Sequence, residues 1–122
     1  MNNRIKILYV DDEPINLQLF VLNFRKKHQV FTAEDGFKAL EVLNREPGII
    51  IVISDMKMPG MNGLEFIKMA KERFPEKKFH ILTGYEITPE IQEALRTGLI
   101  LKYFNKPFNI KEIETTINEA IE

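Results

Sequence analysis

The chain has 122 residues, of which 44% are hydrophobic, contains no cysteine, and has a formal net charge of −1 at pH 7. This length fits one domain with a substantial core, and the lack of cysteine excludes disulfides, thiolate metal sites and cysteine nucleophiles. The small net charge provides no overall field for nucleic acid or an anionic membrane. No apolar stretch approaches the ~20 residues of a membrane span, and no secretory signal follows Met1. We therefore expect a cytoplasmic protein that binds neither nucleic acid nor membrane directly.

Short runs rich in β-branched residues alternate along the chain with longer segments of helical spacing. In chain order, strands are predicted at 5–10, 29–33, 49–54, 79–83 and 100–104. Helices are predicted over 14–26 and 36–45, from Asn62 to the residue before Pro75, from Thr88 to Gly98, and from Asn109 onward. The charged segment Lys68–Lys78 is expected to form a solvated part of the third helix and the loop after it.

Residues with strong positional preferences support these bounds. Pro14 suits the first turn of a helix, Asp35 and Thr88 suit N-cap positions, and Gly98 suits the end of the fourth helix. The unbroken apolar run at 49–53 is typical of a strand covered on both faces. Five strands alternating with five helices predict parallel β-α-β units. The predicted fold is a doubly wound α/β three-layer sandwich, although periodicity does not specify the strand order.

Reactive polar residues stand at the ends of four predicted strands. These are Asp11 and Asp12 after the first strand, Asp55 after the third, Thr83 at the end of the fourth and Lys106 after the fifth. The carboxyl ends of parallel strands share one edge of a sheet, and ligands bind there. We therefore expect these five side chains to share one pocket.

Crowded carboxylates repel each other unless a cation neutralises them, and oxygen ligands suit a hard ion such as Mg²⁺. A carboxylate beside such an ion, with a lysine and a hydroxyl nearby, fits phosphoryl transfer through an aspartyl phosphate. Taken alone, Asp11, Asp12 and Glu13 are more simply explained as caps of the first helix. Asp55 favours the metal site, because a Met-Pro-Gly-Met-Asn-Gly loop follows it instead of a helix.

Four motifs carry a family resemblance. They are Asp11-Asp12-Glu13-Pro14, the nine residues from Asp55 to Gly63, the pair Thr83-Gly84, and the six residues from Tyr103 to Phe108. In this order and across the whole chain, they resemble the receiver domain of two-component response regulators, in the chemotaxis-regulator-like superfamily. The resemblance implies a single receiver domain over residues 1–122 with a flavodoxin-like (βα)5 fold and the sheet order 2-1-3-4-5.

The resemblance implies a role for each acidic residue. Asp55 would accept a phosphoryl group from a histidine kinase or a histidine phosphotransfer protein. Mg²⁺ (or Mn²⁺) would bind Asp11, Asp12, Asp55 and the backbone carbonyl of Lys57, with Asp11 acting largely through water. Lys106 would pair with Asp55 and then with the phosphoryl oxygens. Such a protein is a phosphoacceptor that assists its own phosphorylation and dephosphorylation, and is not an enzyme.

The resemblance also implies a conformational switch. Thr83 would move its hydroxyl onto the phosphoryl group, and Tyr103 would turn inward to fill the vacated space. Gly84 would leave room for that motion. The Lys106–Pro107 bond is expected to be cis, a form that is accessible only before proline.

Two side chains depart from the usual family pattern. Lys57 lies two residues after Asp55, and Tyr85 lies two residues after Thr83. In this family the corresponding side chains border the path of the hydrolytic water. Tyr85 is bulky and Lys57 can pair with the phosphoryl group, so we predict slower self-dephosphorylation than in chemotaxis-type regulators.

Two apolar segments raise the question of partner surfaces. Ile100 and Leu101 could support a homodimer or a downstream partner on the face from the fourth to the fifth helix, but we prefer to assign them to the buried fifth strand. Ile15, Leu19 and Leu22 lie on a first helix with more apolar arc than one core-facing stripe needs. In this family that helix docks on the kinase, but core packing is the preferred interpretation for each of the three.

Other functions fit the residues less well. A flavodoxin-like electron carrier is disfavoured because the acidic run Asp11–Pro14 would repel a flavin phosphate. An aspartyl phosphatase would need a second aspartate where Lys57 stands. His28 and His80 lack a second ligand at helical spacing and are expected to be structural or exposed. A phosphorelay intermediate or a pseudo-receiver that only binds protein remains the alternative, and the sequence does not identify the kinase or the output partner.

Overall fold

The computed structural model describes residues 4–121. Its strands are β1 (Lys6–Val10), β2 (Gln29–Ala33), β3 (Ile49–Asp55), β4 (Lys78–Thr83) and β5 (Lys102–Asn105). Its helices are α1 (Pro14–Phe24), α2 (Gly36–Arg45), α3 (Gly63–Arg73), α4 (Pro89–Arg96) and α5 (Ile110–Ala120). The strands form one parallel sheet in the order β2-β1-β3-β4-β5. The predicted flavodoxin-like (βα)5 sandwich and its strand order are thus confirmed.

The sheet separates two apolar cores, because successive side chains of a strand point to opposite faces. On one face Ile7 and Tyr9 pack with α1 and α5, and on the other Leu8 and Val10 pack with α2, α3 and α4. Both faces of the central strands are therefore covered, as the continuous apolar run in β3 predicted. Within the described residues, no helix has the length and apolar character needed to cross a membrane.

The predicted helix starts are confirmed by their caps. The side chains of Asp35, Thr88 and Asn109 each accept a hydrogen bond from a backbone N–H in the first turn of their helix. Asn62 and Glu65 form a reciprocal capping box at the start of α3. At the other end of α4, Gly98 has a positive φ of 79° and ends the helix as predicted.

The predicted fifth strand, 100–104, began two residues too early, since β5 begins at Lys102. Ile100 is buried, but its backbone N–H bonds to the carbonyl oxygen of Ala94 in the turn after α4. Leu101 is 52% exposed. Both residues precede the strand, so the preferred assignment holds only for the burial of Ile100 and is wrong for Leu101.

The first helix also differs from expectation. It ends at Phe24 and not at residue 26, because the carbonyl oxygen of Phe24 accepts bonds from the N–H groups of Lys27 and His28 and the chain turns toward β2. Core packing, which was preferred for three of its apolar residues, is wrong for all three. They are exposed by 62% at Ile15, 46% at Leu19 and 56% at Leu22.

Three charged or titratable residues that lie outside the strand-end motifs are interior. Lys77, which was expected to be solvated, is buried and donates to the carbonyl oxygens of Pro47 and Ile49. His28 and His80 are also buried, as the structural interpretation predicted. Burial lowers the pKa of His80 to about 4, so its ring is neutral at pH 7.

Gly63 lets α3 begin directly against the end of β3. Its N–H donates to the carbonyl oxygen of Met56 at 2.8 Å. A Cβ on this residue would overlap the carbonyl oxygen of Asp55 and lie 2.9 Å from Cδ1 of Ile81. The loop 56–62 therefore returns to the strand end only because residue 63 has no side chain.

We predict that Gly63→Ala lowers the free energy of unfolding by about 1–3 kcal/mol, because backbone and core atoms must move to admit the methyl group. Urea unfolding followed by circular dichroism measures the change. Gly48→Ala is the matched control, since among the described residues a Cβ there meets only the Lys6 side chain, at 3.4 Å or more. Equal stability of the two variants would contradict the steric argument.

Candidate functional site

The predicted polar residues converge at the carboxyl edge of the sheet. Nζ of Lys106 lies 3.0 Å from Oδ2 of Asp11 and 3.1 Å from Oδ2 of Asp55. Carboxylate oxygens of Asp11, Asp12 and Asp55 all lie within 4.8 Å of one another. Thr83 ends the neighbouring strand β4 and is buried. Its Oγ1 accepts a hydrogen bond of 3.1 Å from the backbone N–H of Tyr85.

Asp11 is fully buried and makes several hydrogen bonds. Its Oδ1 accepts from the N–H of Glu13 at 3.0 Å. Its Oδ2 accepts from the Tyr9 hydroxyl at 2.6 Å and from Nδ2 of Asn16 at 3.3 Å, in addition to Lys106. Neither Tyr9 nor Asn16 was identified from the sequence. The available signal was the spacing of two residues between Tyr9 on β1 and Asp11 directly after it, which puts both side chains on the same face if the chain stays extended.

The helix-cap explanation of the first acidic cluster does not hold. Glu13 is the N-cap residue of α1, but its side chain accepts no capping bond from a backbone N–H of the described first turn, only a contact of 3.4 Å from Nδ2 of Asn16. Asp11 faces Lys106 and Asp55, and Asp12 is exposed at the mouth of the same site.

Burial and charge act in opposite directions on the central pair. Burial raises the pKa of the Asp55 carboxyl, and the attraction of Lys106 and a backbone hydrogen bond from Lys57 only partly oppose it, so the net shift is upward. Burial lowers the pKa of Lys106, but its hydrogen bond to Asp11 and the charge of Asp55 outweigh that effect and raise it. Lys106 therefore stays protonated, whereas ionisation of Asp55 is disfavoured.

The donor set fits a hard divalent cation. Asp11, Asp12 and Asp55 contribute only carboxylate oxygens, the ligands that Mg²⁺ and Mn²⁺ accept. Three carboxylates facing one ammonium also leave an excess of negative charge, which such an ion would balance.

A cleft of about 480 Å³ opens over the site. Its wall includes Lys57 and Tyr85, the two side chains that depart from the usual family pattern. It is lined by Asp12, Glu13, Asp55, Lys57, Gly84, Tyr85 and Lys106. Nζ of Lys57 lies 4.3 Å from the centroid of the Tyr85 ring, within cation–π distance. The loop after β3 and the loop after β4 are therefore in contact beside Asp55.

The remaining predicted site residues lie nearby. The Lys106–Pro107 peptide bond is cis, as predicted. Tyr103 is half-buried on β5, where it pairs with Ile81 of β4 and packs against the core. A Cβ on Gly84 would lie 3.9 Å from Cβ and Cδ of Lys106, which is ordinary contact.

Residues 7–118 match the family model described as the response regulator receiver domain. The chain belongs to this family. The receiver is 35% identical over 117 residues to sporulation initiation phosphotransferase F of Bacillus subtilis, covering 95% of this chain and 93% of that protein. It is 32% identical to the transcriptional regulatory protein GlrR of Escherichia coli, covering 95% of this chain but only 26% of that longer protein.

Solved structures agree with the receiver assignment. A response regulator receiver domain protein of Clostridium thermocellum has a TM-score of 0.89 at 30% identity and covers 96% of this chain and 94% of its own. Chemotaxis protein CheY4 of Vibrio cholerae has a TM-score of 0.86 at 28% identity and covers 96% of this chain and 98% of its own.

We predict that Asp55→Asn stabilises the receiver in the absence of divalent cations by about 1 kcal/mol near pH 7. The pKa of Asp55 is raised by folding, so the wild type loses stability as pH rises through the ordinary aspartate range up to that raised pKa. Asp55→Asn has no carboxyl at this position and does not lose stability in this way. Thermal unfolding from about pH 4 to about pH 7 measures the difference.

Asp35→Asn is the control, because asparagine caps a helix as well as aspartate does. Mg²⁺ should stabilise the wild type and Asp35→Asn more than Asp55→Asn. A lower melting temperature for Asp55→Asn near pH 7 would contradict the prediction.

Proposed function

We propose that this receiver accepts a phosphoryl group from a phosphohistidine onto Asp55 and thereby switches its contacts with a partner. The observation that carries the proposal is the contact of Lys106 with both Asp55 and Asp11 beside a cluster of three carboxylates. An ammonium at that position balances the negative charge of a phosphoryl group arriving at Asp55. The name of the Bacillus subtilis relative, a phosphotransferase, agrees with this chemistry.

In the proposed reaction, an Asp55 oxygen forms the new O–P bond while the N–P bond of the phosphohistidine breaks and the imidazole leaves. A divalent cation held by Asp11, Asp12, Asp55 and the backbone carbonyl of Lys57 would spread negative charge away from the phosphoryl oxygens. Lys106 would exchange part of its contact with Asp55 for a phosphoryl oxygen. The chain acts as a phosphoacceptor without turnover of a substrate.

The proposed switch involves Thr83 and Tyr103. The Thr83 oxygen accepts the N–H of Tyr85, and its own hydroxyl hydrogen is available for donation to a phosphoryl oxygen. Movement of Thr83 toward Asp55 would vacate space near β5, which Tyr103 would fill. Contacts with the phosphoryl group would shift the population from the unphosphorylated conformation to this second one.

The donor would dock on α1. The exposed side chains of Ile15, Leu19 and Leu22 form an apolar surface on the helix that follows Asp12, and Leu19 also lines a cleft with Lys106 and Pro107. An apolar surface next to a reactive carboxylate fits a histidine kinase or a histidine phosphotransfer protein that must bring its imidazole to Asp55.

Output would use a different face. Exposed Leu101 lies between α4 and β5, which supports a downstream protein or a second copy as the partner of the α4–α5 face. We also propose that the receiver acts in the cytoplasm. No specific observation favours a phosphorelay intermediate or a pseudo-receiver, and the acidic cluster and Lys106 that a phosphoacceptor uses are both present.

We predict that acetyl phosphate with Mg²⁺ adds one phosphoryl group to Asp55, because a small donor needs only the pocket. Intact-mass spectrometry detects the adduct, which should be lost in Asp55→Asn and on chelation of the metal. In a second arm, Leu19→Ser should slow transfer from a phosphorylated kinase about tenfold or more without changing labelling by acetyl phosphate.

Labelling of Asp55→Asn to the wild-type level would overturn the assignment of Asp55. Equal slowing of both donors by Leu19→Ser would instead overturn the docking role of α1.

We predict that Tyr85→Ala shortens the phosphoryl half-life about threefold, because the ring and the Lys57 ammonium together narrow the approach of water to Asp55. A cation–π contact of about 0.5–1 kcal/mol at an exposed site corresponds to a factor of this size. Release of phosphate from the purified phosphoprotein measures the half-life.

Phe37→Ala is the matched control, since Phe37 and Tyr85 are both 59% exposed but Phe37 lies outside the cleft lining. A wild-type half-life no longer than that of Tyr85→Ala would refute the shielding role.

A further inference from the structure

We propose that Tyr9 is a positioning residue of the acidic site, whose hydroxyl holds Asp11 so that its Oδ2 is directed to protein donors and not to the divalent cation. Asp12 and Asp55 are then the carboxylates free to contact that ion directly. This inference rests on the metal site of the proposed function and assigns a role to a residue that the motifs do not include.

The hydrogen bond between Tyr9 and Asp11 is short and buried. The hydroxyl oxygen lies 2.6 Å from Oδ2, and Tyr9 and Asp11 are 1% and 0% exposed. Hydrogen bonds from a neutral donor to a carboxylate at this distance are among the stronger ones in proteins. Water does not compete for either group at this depth.

The Tyr9 ring has little freedom to release this contact. It stacks on Phe20 with centroids 4.4 Å apart and an interplanar angle of 13°. Phe20 in turn contacts Phe24 and Phe108 at 4.6 Å and 5.5 Å. These rings pack the phenol from the α1 side, and the hydroxyl points out of this apolar cluster to the acidic site.

Asp11 then has no lone pair left at Oδ2. A carboxylate oxygen offers about two lone-pair directions. Oδ2 already receives Tyr9 at 2.6 Å, Lys106 at 3.0 Å and Asn16 at 3.3 Å. From residues 4–121, Oδ1 receives only the Glu13 N–H at 3.0 Å. A cation that involves Asp11 must therefore use the remaining capacity of Oδ1 or act through a water molecule.

Loss of the hydroxyl should release this constraint. Tyr9→Phe keeps the ring and its stacking but removes the shortest of the three donor contacts, so Asp11 presents more unbalanced charge to the ion. The divalent cation should then bind more tightly, because it no longer competes with the phenol for the carboxylate.

The test measures Mn²⁺ binding to the full chain by the electron paramagnetic resonance signal of the free ion. We expect Tyr9→Phe to lower the dissociation constant about threefold or more, since a bond to a charged group is worth at least that factor. In an Asp11→Asn background, the same substitution should change the affinity less than about twofold, because the coupling acts through Asp11. A purely structural role would affect both backgrounds alike.

Phe20→Leu is the packing control, since it disturbs the ring stack and leaves the hydroxyl in place. It should lower thermal stability with no gain in Mn²⁺ affinity. Unchanged or weaker Mn²⁺ binding by Tyr9→Phe, or an equal gain in the Asp11→Asn background, would overturn the role of Tyr9 alone. A wild-type chain that binds no Mn²⁺ would overturn the metal site itself and this inference with it.

Discussion

Repulsion among three carboxylates governs the chemistry of this receiver. Asp11 is fully buried and Asp55 is 6% exposed, so water screens their charges only weakly. Lys106 contacts both, but one ammonium does not balance three carboxylates. Burial disfavours the ionised form of Asp55 in the isolated chain, and the negative charge of Asp11 adds to this effect. The negative charge that Lys106 leaves unbalanced also gives the site its attraction for a divalent cation.

The sheet holds the carboxylates of Asp11 and Asp55 close together despite their repulsion. Strands β1 and β3 are neighbours, and Asp11 and Asp55 are the residues that follow the pair formed by Val10 and Ser54. Apolar cores on both faces prevent either strand from shifting to relieve the repulsion. Lys106 follows β5, two strands away from β3, and only a long side chain can reach both carboxylates from there.

Helix α1 connects the pocket to the protein surface. On its inner side Phe20 contacts both the Tyr9 ring, whose hydroxyl binds Asp11, and Phe108, which follows the cis Lys106–Pro107 bond. On its outer side the apolar residues Ile15, Leu19 and Leu22 are exposed. A partner bound to the outer side would therefore be in contact, through one rigid helix, with the packing that orients Asp11 and Lys106.

Local patterns determined much of this protein. Strand-end polar residues, helix caps and apolar periods are short-range features, so the sequence alone predicted the alternation of elements and the convergence of Asp11, Asp12, Asp55 and Lys106 at one edge. The family motifs supplied the strand order, which periodicity could not.

Tertiary structure decided what depends on distant neighbours. A helix that is apolar on most sides does not reveal which residues face the sheet, and so Ile15, Leu19 and Leu22 were assigned to the core. Burial of Lys77 depends on the carbonyl groups of Pro47 and Ile49, about 30 residues away along the chain. The contacts of Tyr9 with Phe20 and of Lys57 with Tyr85 likewise join separate segments, and only the packed sheet and helices bring them together.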